Sequence, residues 1–200
     1  TDVQTSSESA KANNSAGGGY NDRAGASSSK EAQDRWAKMA KPHLEKAIGI
    51  HPRYKNAYLQ LGNSYFYLED YEQAIRNYEI SLDLDPNYTD AQKNLFLAYR
   101  QGGKFMGEQR NDLTKALAYL QQAYRLRPDD YETIRLLGVA HGMSKNFEKA
   151  VSYFKKGLKK QPNDAQAYYN LGASYMQIGK VDSGQLYLDQ ARSMDPSIFR

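Results

Sequence analysis

The sequence predicts an all-α chain built as a stack of paired helices, an α-α solenoid. Three observations predict it. Pro52, Pro86, Pro128, Pro162 and Pro196 stand 34, 42, 34 and 34 residues apart, so the chain repeats itself. Twelve residues before each proline lies a small residue: Ala40, Ala74, Ala116, Ala150 or Gly184. Between these markers apolar residues recur at three- and four-residue steps, the spacing that puts them on one face of a helix.

The unit is clearest from Lys55 to Tyr88, KNAYLQLGNSYFYLEDYEQAIRNYEISLDLDPNY. In its first half Tyr58, Leu61, Gly62 and Tyr65 share a face. A glycine inside a helix costs roughly 1 kcal/mol against alanine, so Gly62 marks a place where another helix comes close. In its second half Ala74, Tyr78 and Ser81 share a face, with Tyr78 filling the space beside the small residues. Pro86 lacks an amide donor and disfavours helical geometry in the residue before it, so Asp85 ends the second helix.

Tyr58, Leu61, Gly62, Tyr65, Ala74, Tyr78 and Pro86 at these offsets resemble the tetratricopeptide repeat, a 34-residue helix-turn-helix unit. The resemblance extends over residues 10 to 196 and implies an α-α superhelix of about five such repeats. The expected divisions are a tail at 1–9, a degenerate first repeat at 10–54 with a long loop at 25–29, and repeats at 55–88, 89–130, 131–164 and 165–200. The third repeat carries an insertion at 103–111.

Composition is consistent with a stack of this kind. At 200 residues, 40% hydrophobic, with a mean hydropathy of −0.82, the chain is hydrophilic yet long enough to bury a continuous core. Its 27 basic and 23 acidic residues leave a net charge of +4, a mixed surface that argues against nucleic acid as a partner. The absence of cysteine excludes disulfides and thiolate metal sites. No run approaches the length of apolar sequence that a membrane span needs, so no membrane insertion is expected. Thr1 in place of Met, with no signal segment after it, suggests a processed or excised fragment.

Residues 1 to 30, rich in Ser, Asn, Gly and Ala, read either as a disordered leader or as a degraded first helix. In the second case Ala12, Ala16, Gly17 and Tyr20 take the places of Ala57, Leu61, Gly62 and Tyr65, with about eleven extra residues before the partner helix. That partner, from about Lys30 to Ile50, puts Trp36, Met39, Leu44 and Ala47 toward the core, and Pro42 in its interior predicts a kink.

Thr89 and Gln92 have capping-box spacing at the start of the third repeat. Phe96 stands where Gly62 stands, which should loosen the local packing. The insertion QGGKFMGEQRND reads as a lengthened turn, with Asp112 as the next N-cap, whose Phe105 and Met106 either fold back onto the repeat's own helices or are candidate partner contacts. Gly102, Gly103 and Lys104 lack the upstream glycine, the hydroxyl residue and the strand of a phosphate loop. In the fourth repeat His141 replaces the usual tyrosine and reads as a core residue. Lys155, Lys156, Lys159 and Lys160 read as a solvated outer face near a helix C-terminus. The array stops at Arg200 without a polar capping helix, so further sequence or self-association is expected to cover that end.

His43, His51 and His141 show no metal-ligand spacing, and no nucleophile set or carboxylate pair stands out. No enzyme activity, cofactor or metal is expected. What the resemblance implies is a groove for a partner protein or peptide, lined by the first helix of each repeat. The positions carried over are Asn56, Leu59, Asn63 and Phe66; then Asp90, Lys93, Asn94 and Leu97; then Glu132, Arg135, Val139 and Met143; then Gln166, Tyr169, Asn170 and Ala173. Amides of this kind bond an extended backbone through both donor and acceptor. Chaperone-binding members grip a carboxylate with Lys, Asn, Asn, Lys and Arg. Here those positions read Leu59, Asn63, Asn94, Glu132 and Leu136, without the three cations, which excludes that specialisation.

The start TDVQTSSESAKANNSAGG, the stretch HPRYKNAYLQLGNSYF and the glycine-rich insertion also resemble the C-terminal repeat region of bacterial multi-pass membrane glycosyltransferase-like proteins. This implies an extracytoplasmic module tethered to an enzyme outside the sequence, although residues alone leave a cytoplasmic location open. Two functions follow: a peptide-binding interaction module, or a structural spacer or self-assembly element of a larger membrane protein.

Overall fold

The computed structural model describes residues 2–200. They form ten α-helices: α1 Asp2–Ala26, α2 Lys30–Ile50, α3 Lys55–Tyr67, α4 Tyr71–Leu84, α5 Thr89–Glu108, α6 Leu113–Leu126, α7 Tyr131–Met143, α8 Phe147–Lys160, α9 Ala165–Gln177 and α10 Val181–Met194. A 3-10 turn at Pro196–Phe199 follows, and no strand occurs among the described residues. The chain divides into two compact units: unit 1 ends at Gly102 and unit 2 begins at Gly103.

Local chemistry sets the boundaries. Asp70, Asp112, Asp130, Asn146 and Asp164 are N-caps whose side chains each accept a backbone N–H from the residue three positions on. Such a cap satisfies one of the four amides that a helix start leaves without an intrahelical partner. At the other end of the joints, Glu69, Asn111, Lys145 and Gly179 all take positive φ, at 60°, 52°, 59° and 76°. These four positions stand 42, 34 and 34 residues apart, so the left-handed turn residue recurs with the repeat.

Inside each repeat one glycine meets one large side chain. A Cβ on Gly62 would stand 2.5 Å from Tyr78, one on Gly138 2.7 Å from Phe154, and one on Gly172 2.8 Å from Leu188. The large residue always lies four positions after the small one of the repeat marker, which puts both on the inner face of the second helix. Ala74 and Ala150, two of those markers, are fully buried.

Several expectations are corrected. The tail at 1–9 and the loop at 25–29 do not stand apart: α1 is continuous from Asp2, and only residues 27–29 separate it from α2. The extra residues of this repeat are helical, since α2 begins ten positions before Ala40, whereas α4 begins three before Ala74. The buried positions of α1 are Ala10, Gly17, Asn21 and Ala24, while Ala12 and Ala16 are exposed. The reason is the contact with α2: a Cβ at Gly17 would lie 2.4 Å from Leu44, so this glycine fixes the inner face. On α2 the core is Ala37, Ala40, Leu44 and Ala47. Met39 is exposed, and Trp36 is half-buried, stacked on Tyr20 at 6.0 Å between ring centroids. The helix passes through Pro42 without interruption.

The insertion at 103–111 is not an exposed loop. α5 runs on to Glu108, so Phe105 and Met106 lie on a helix and are half-buried. Gly103 is the true counterpart of Gly62, with a Cβ there 2.6 Å from Leu120, and most of the extra residues are therefore added ahead of the glycine. Phe96, 1% exposed, is a packed core residue and loosens nothing. The capping box at Thr89 does not form, because the Gln92 amide donates to the Pro86 carbonyl instead.

Candidate functional site

In unit 1 the inner positions of α3 and α5 converge on a pocket of about 160 Å³ lined by Asn63, Phe66, Tyr67, Tyr78, Asn94 and Leu97. Four of these were expected from the sequence: Asn63, Phe66, Asn94 and Leu97. They meet because Asn63 and Phe66 are three residues apart on α3, Asn94 and Leu97 are three apart on α5, and three-residue neighbours share a helix face.

The polar groups of the pocket form one chain of hydrogen bonds. Tyr78 donates its hydroxyl proton to Asn63 Oδ1 at 2.8 Å, and Asn94 Nδ2 donates to the same oxygen at 2.8 Å. Asn63 Nδ2 donates in turn to Gln60 Oε1 at 3.3 Å. Beyond Gln60 lies α1: Asn21 Nδ2 donates to the Gln60 carbonyl at 2.7 Å and to Oε1 at 3.1 Å, and Asn21 Oδ1 accepts from Ser64 at 2.9 Å. Asn21 is 3% exposed and Ser64 is fully buried, so the chain begins in the core and ends at the pocket.

This corrects the view of the amides as equivalent. Asn63 spends its carbonyl on two internal donors and so serves to orient Asn94, whose Oδ1 and second amide proton have no partner among the described residues. Tyr78 holds its proton far above ordinary phenol pH, because burial penalises the phenolate and the neighbouring Tyr67 adds to that. Burial followed by the Glu69 charge pushes Tyr71 up to about 12. These phenols stay neutral, which keeps the Tyr78 hydroxyl a donor to Asn63.

In unit 2 a second, more open pocket of about 250 Å³ lies between α7 and α9, lined chiefly by Val139, Met143, Phe154, Asn170 and Ala173. Val139, Asn170 and Ala173 come from the expected set, as does Met143, which is exposed. Asn170 Oδ1 accepts from Gln166 at 3.2 Å. Both pockets are smaller than the roughly 300–1,000 Å³ of small-molecule sites and suit single side chains of a polypeptide.

The other expected residues do not join these pockets. Leu59 is buried, 5% exposed, and belongs to the core. Arg135 is tied to Glu132 by two bonds of 2.8 and 2.7 Å, which raise the already high guanidinium pKa. Lys93 lies 3.8 Å from Asp90, and both are exposed. Tyr169 packs edge-on against Phe199 at 5.2 Å, so the C-terminal 3-10 turn occupies its ring. Asn56 is half-buried away from either pocket. Tyr67, Tyr78, Gln60 and Asn21 were missed as site residues. Tyr78 had been assigned to packing alone, and Asn21 lies in a stretch whose composition resembles a linker.

Family models of the tetratricopeptide repeat match residues 56–88 and 165–198, and a model described as a TPR repeat matches residues 144–179. The chain carries tetratricopeptide repeats. The first and last matches coincide with the repeats that begin at α3 and at α9, which fixes the frame at both places.

Among curated relatives, Superkiller protein 3 of Schizosaccharomyces pombe is 24% identical over 155 residues, covering 72% of this chain and 10% of its own length. Hsp70-Hsp90 organizing protein 1 of Glycine max is 26% identical over 168 residues, covering 81% of this chain and 28% of its own. The chain thus spans a minor part of the curated relatives it matches. Among solved structures, a MamA protein superposes with a TM-score of 0.60 at 21% identity, covering 90% of this chain and 92% of that one. YrrB, described as a TPR protein with an unusual peptide-binding site, superposes with a TM-score of 0.57 at 24% identity, covering 80% and 78%. These structures share the all-α fold. In this chain the two asparagines of a chaperone clamp are present, but Leu59 and Leu136 are both buried where that clamp needs cations.

Proposed function

We propose that this tetratricopeptide chain is an interaction module that binds an extended peptide segment of a partner protein. Its pocket between α3 and α5 takes one apolar side chain against Phe66 and Leu97. Asn94 then bonds the peptide backbone through its free carbonyl and amide proton. The observation that carries this reading is the chain Tyr78–Asn63–Asn94, because it presents an oriented and incompletely satisfied amide beside apolar surface. Pre-orientation lowers the ordering cost of binding. The peptide-binding description of YrrB supports the same class of ligand. The α7–α9 pocket with Asn170 offers a second position of similar chemistry in unit 2. No catalytic step, cofactor or metal is assigned to the module.

A peptide array followed by titration of its best ligands tests the proposal. Asn94→Ala and Phe66→Ala should each weaken binding about tenfold, or about 1.4 kcal/mol. Ligands that bind with unchanged affinity to both variants would place recognition elsewhere. The second reading, a spacer within a membrane-anchored glycosyltransferase-like protein, rests on the resemblance of the opening residues and of HPRYKNAYLQLGNSYF. Membrane spans encoded upstream of Thr1, together with a chain that binds no array peptide, would favour it. No helix among the described residues is long and apolar enough to cross a membrane.

A further inference from the structure

The positive charge of the chain is confined to one unit. Residues 103–200 hold 15 Lys and Arg against 10 Asp and Glu, a net of +5, whereas residues 1–102 hold 12 against 13, a net of −1. Within unit 2 the excess gathers on α8. Lys149, Lys155, Lys156, Lys159 and Lys160 are all exposed, and Ser152 continues the stripe at helical spacing. The carboxylates near them are few. Asp129 pairs with Lys160 at 2.6 Å, and Glu148 stands in the first turn of the helix. The helix macrodipole accounts for cations in the last turn, at Lys159 and Lys160, but not for those further up.

Two of the lysines are held by phenols in place of carboxylates. Lys156 donates to the Tyr124 hydroxyl and lies 4.9 Å over its ring, and Lys155 lies 5.3 Å over the Tyr175 ring. Tyr124 is braced edge-on by Tyr153 at 6.0 Å, and Tyr175 is stacked on Tyr187 at 5.5 Å. A carboxylate partner would cancel the charge, whereas a phenol orients the ammonium and leaves it positive. Where the lysine donates to the phenol oxygen, the hydroxyl proton itself stays available to an incoming anion.

We propose that this α8 face is a docking surface for an acidic polypeptide segment, gripped by the Lys156–Tyr124 and Lys155–Tyr175 pairs together with the exposed Lys159. Charge complementarity selects the occupant. Tyr124 packs edge-on against Tyr153 and the buried Tyr175 is stacked on Tyr187, which leaves little ring face for bases, and the exposed stripe of α8 carries no large apolar residue to enter a lipid surface. None of the lysines of this face lines either pocket.

The test is titration of the whole chain with a poly-glutamate peptide, with duplex DNA and phosphatidylserine vesicles as rival probes. Poly-glutamate should bind, with an affinity that falls as salt rises. Lys155→Glu with Lys156→Glu and Lys159→Glu should abolish that binding. The same charge change at Lys38, Lys41 and Lys46 of α2 should leave it within a factor of two or so. Tyr124→Phe with Tyr175→Phe keeps every charge and should weaken binding several-fold, which a diffuse cationic field would not show. Equal loss in the α2 control, no loss in the phenylalanine pair, or tighter binding of DNA or vesicles than of poly-glutamate would each overturn the proposal. Far-ultraviolet circular dichroism confirms that each variant folds, and Asn94→Ala, which tests the groove, should leave poly-glutamate binding intact.

Discussion

Gly103 of α5 and Leu120 of α6 pack so closely that a Cβ on the glycine would lie 2.6 Å from Leu120 Cγ. Gly17 with Leu44, Gly62 with Tyr78, Gly138 with Phe154 and Gly172 with Leu188 make the same contact, so every repeat closes on one glycine and one large side chain. Adding a methyl group there forces the large side chain off its rotamer. Gly62→Ala and Gly138→Ala should each destabilise by about 1–3 kcal/mol, despite alanine's better helix propensity. A Cβ on Gly19 would meet nothing within 4 Å, and Gly19→Ala should stabilise by about 0.5–1 kcal/mol. Urea midpoints for the three variants check the contrast.

The turn between paired helices gives a second prediction. Glu69 and Lys145 hold positive φ at the position where the last repeat has Gly179. A left-handed conformation costs a residue with a side chain about 1 kcal/mol, and glycine avoids that cost. Glu69→Gly and Lys145→Gly should therefore raise stability by up to about 1 kcal/mol, read as a higher denaturant midpoint. Asn111→Gly should change little, since asparagine already tolerates this conformation.

These residues also show how far the sequence could be read. The proline and alanine spacing located eight of the ten helices closely, because each repeat carries its own caps and its own stop signal. It failed wherever extra residues were inserted. A length excess of eight residues says that something is added, not whether it is loop or helix, and counting from the previous proline placed Phe96 on the glycine position that Gly103 actually holds. Glycine-rich composition left the first helix open against a disordered leader, and Gly17 does take the place of Gly62 that the helical reading gave it, whereas Gly103 was read as turn; both glycines weaken an isolated helix but permit the contacts with Leu44 and Leu120. Within the candidate site, Asn63 and Asn94 were legible as groove positions. Their division into an orienting and a presenting amide was not, because it depends on Tyr78 and on Asn21, which approach from other helices.

His141 predicts a pH dependence. It is 4% exposed, stacked on Tyr153 at 5.4 Å, and its Nδ1 has no hydrogen-bond partner. Burial, followed by the nearby Lys149 charge, lowers its pKa below the ordinary 6.5. The unfolded chain therefore takes up a proton at a pH where the folded chain does not, and stability falls as pH drops below about 6.5. Above that pH the full contribution is present. Replacing His141→Phe keeps the stacking and removes the titration, so the urea midpoint of the variant should decline less than that of the wild type between about pH 7.5 and pH 5. The lowered carboxylates Asp85 and Asp129 titrate below their ordinary 3.8 and lie outside this window. Parallel curves for the two proteins would show that His141 carries no share of the acid sensitivity.

The last prediction concerns Phe105 and Met106, which the sequence put on a lengthened turn, either folded back on the repeat's own helices or in contact with a partner, and which the structure puts on α5. Their backbone carbonyls close the helix: Phe105 O accepts from Gln109 N at 2.9 Å, and Met106 O accepts from Asp112 N at 2.8 Å. Their side chains are half-buried, and the Arg110 guanidinium lies 5.4 Å over the Phe105 ring. Truncating both removes apolar surface from the end of the helix without touching either carbonyl. Phe105→Ala with Met106→Ala should therefore cost about 1–3 kcal/mol, less than a fully buried pair would. Because neither residue lines the α3–α5 pocket, affinity for a groove peptide should stay the same. A thermal melt and a peptide titration on the double variant separate the two roles: lost stability with unchanged affinity marks helix packing, whereas lost affinity with an unchanged melting temperature would return these residues to the partner surface.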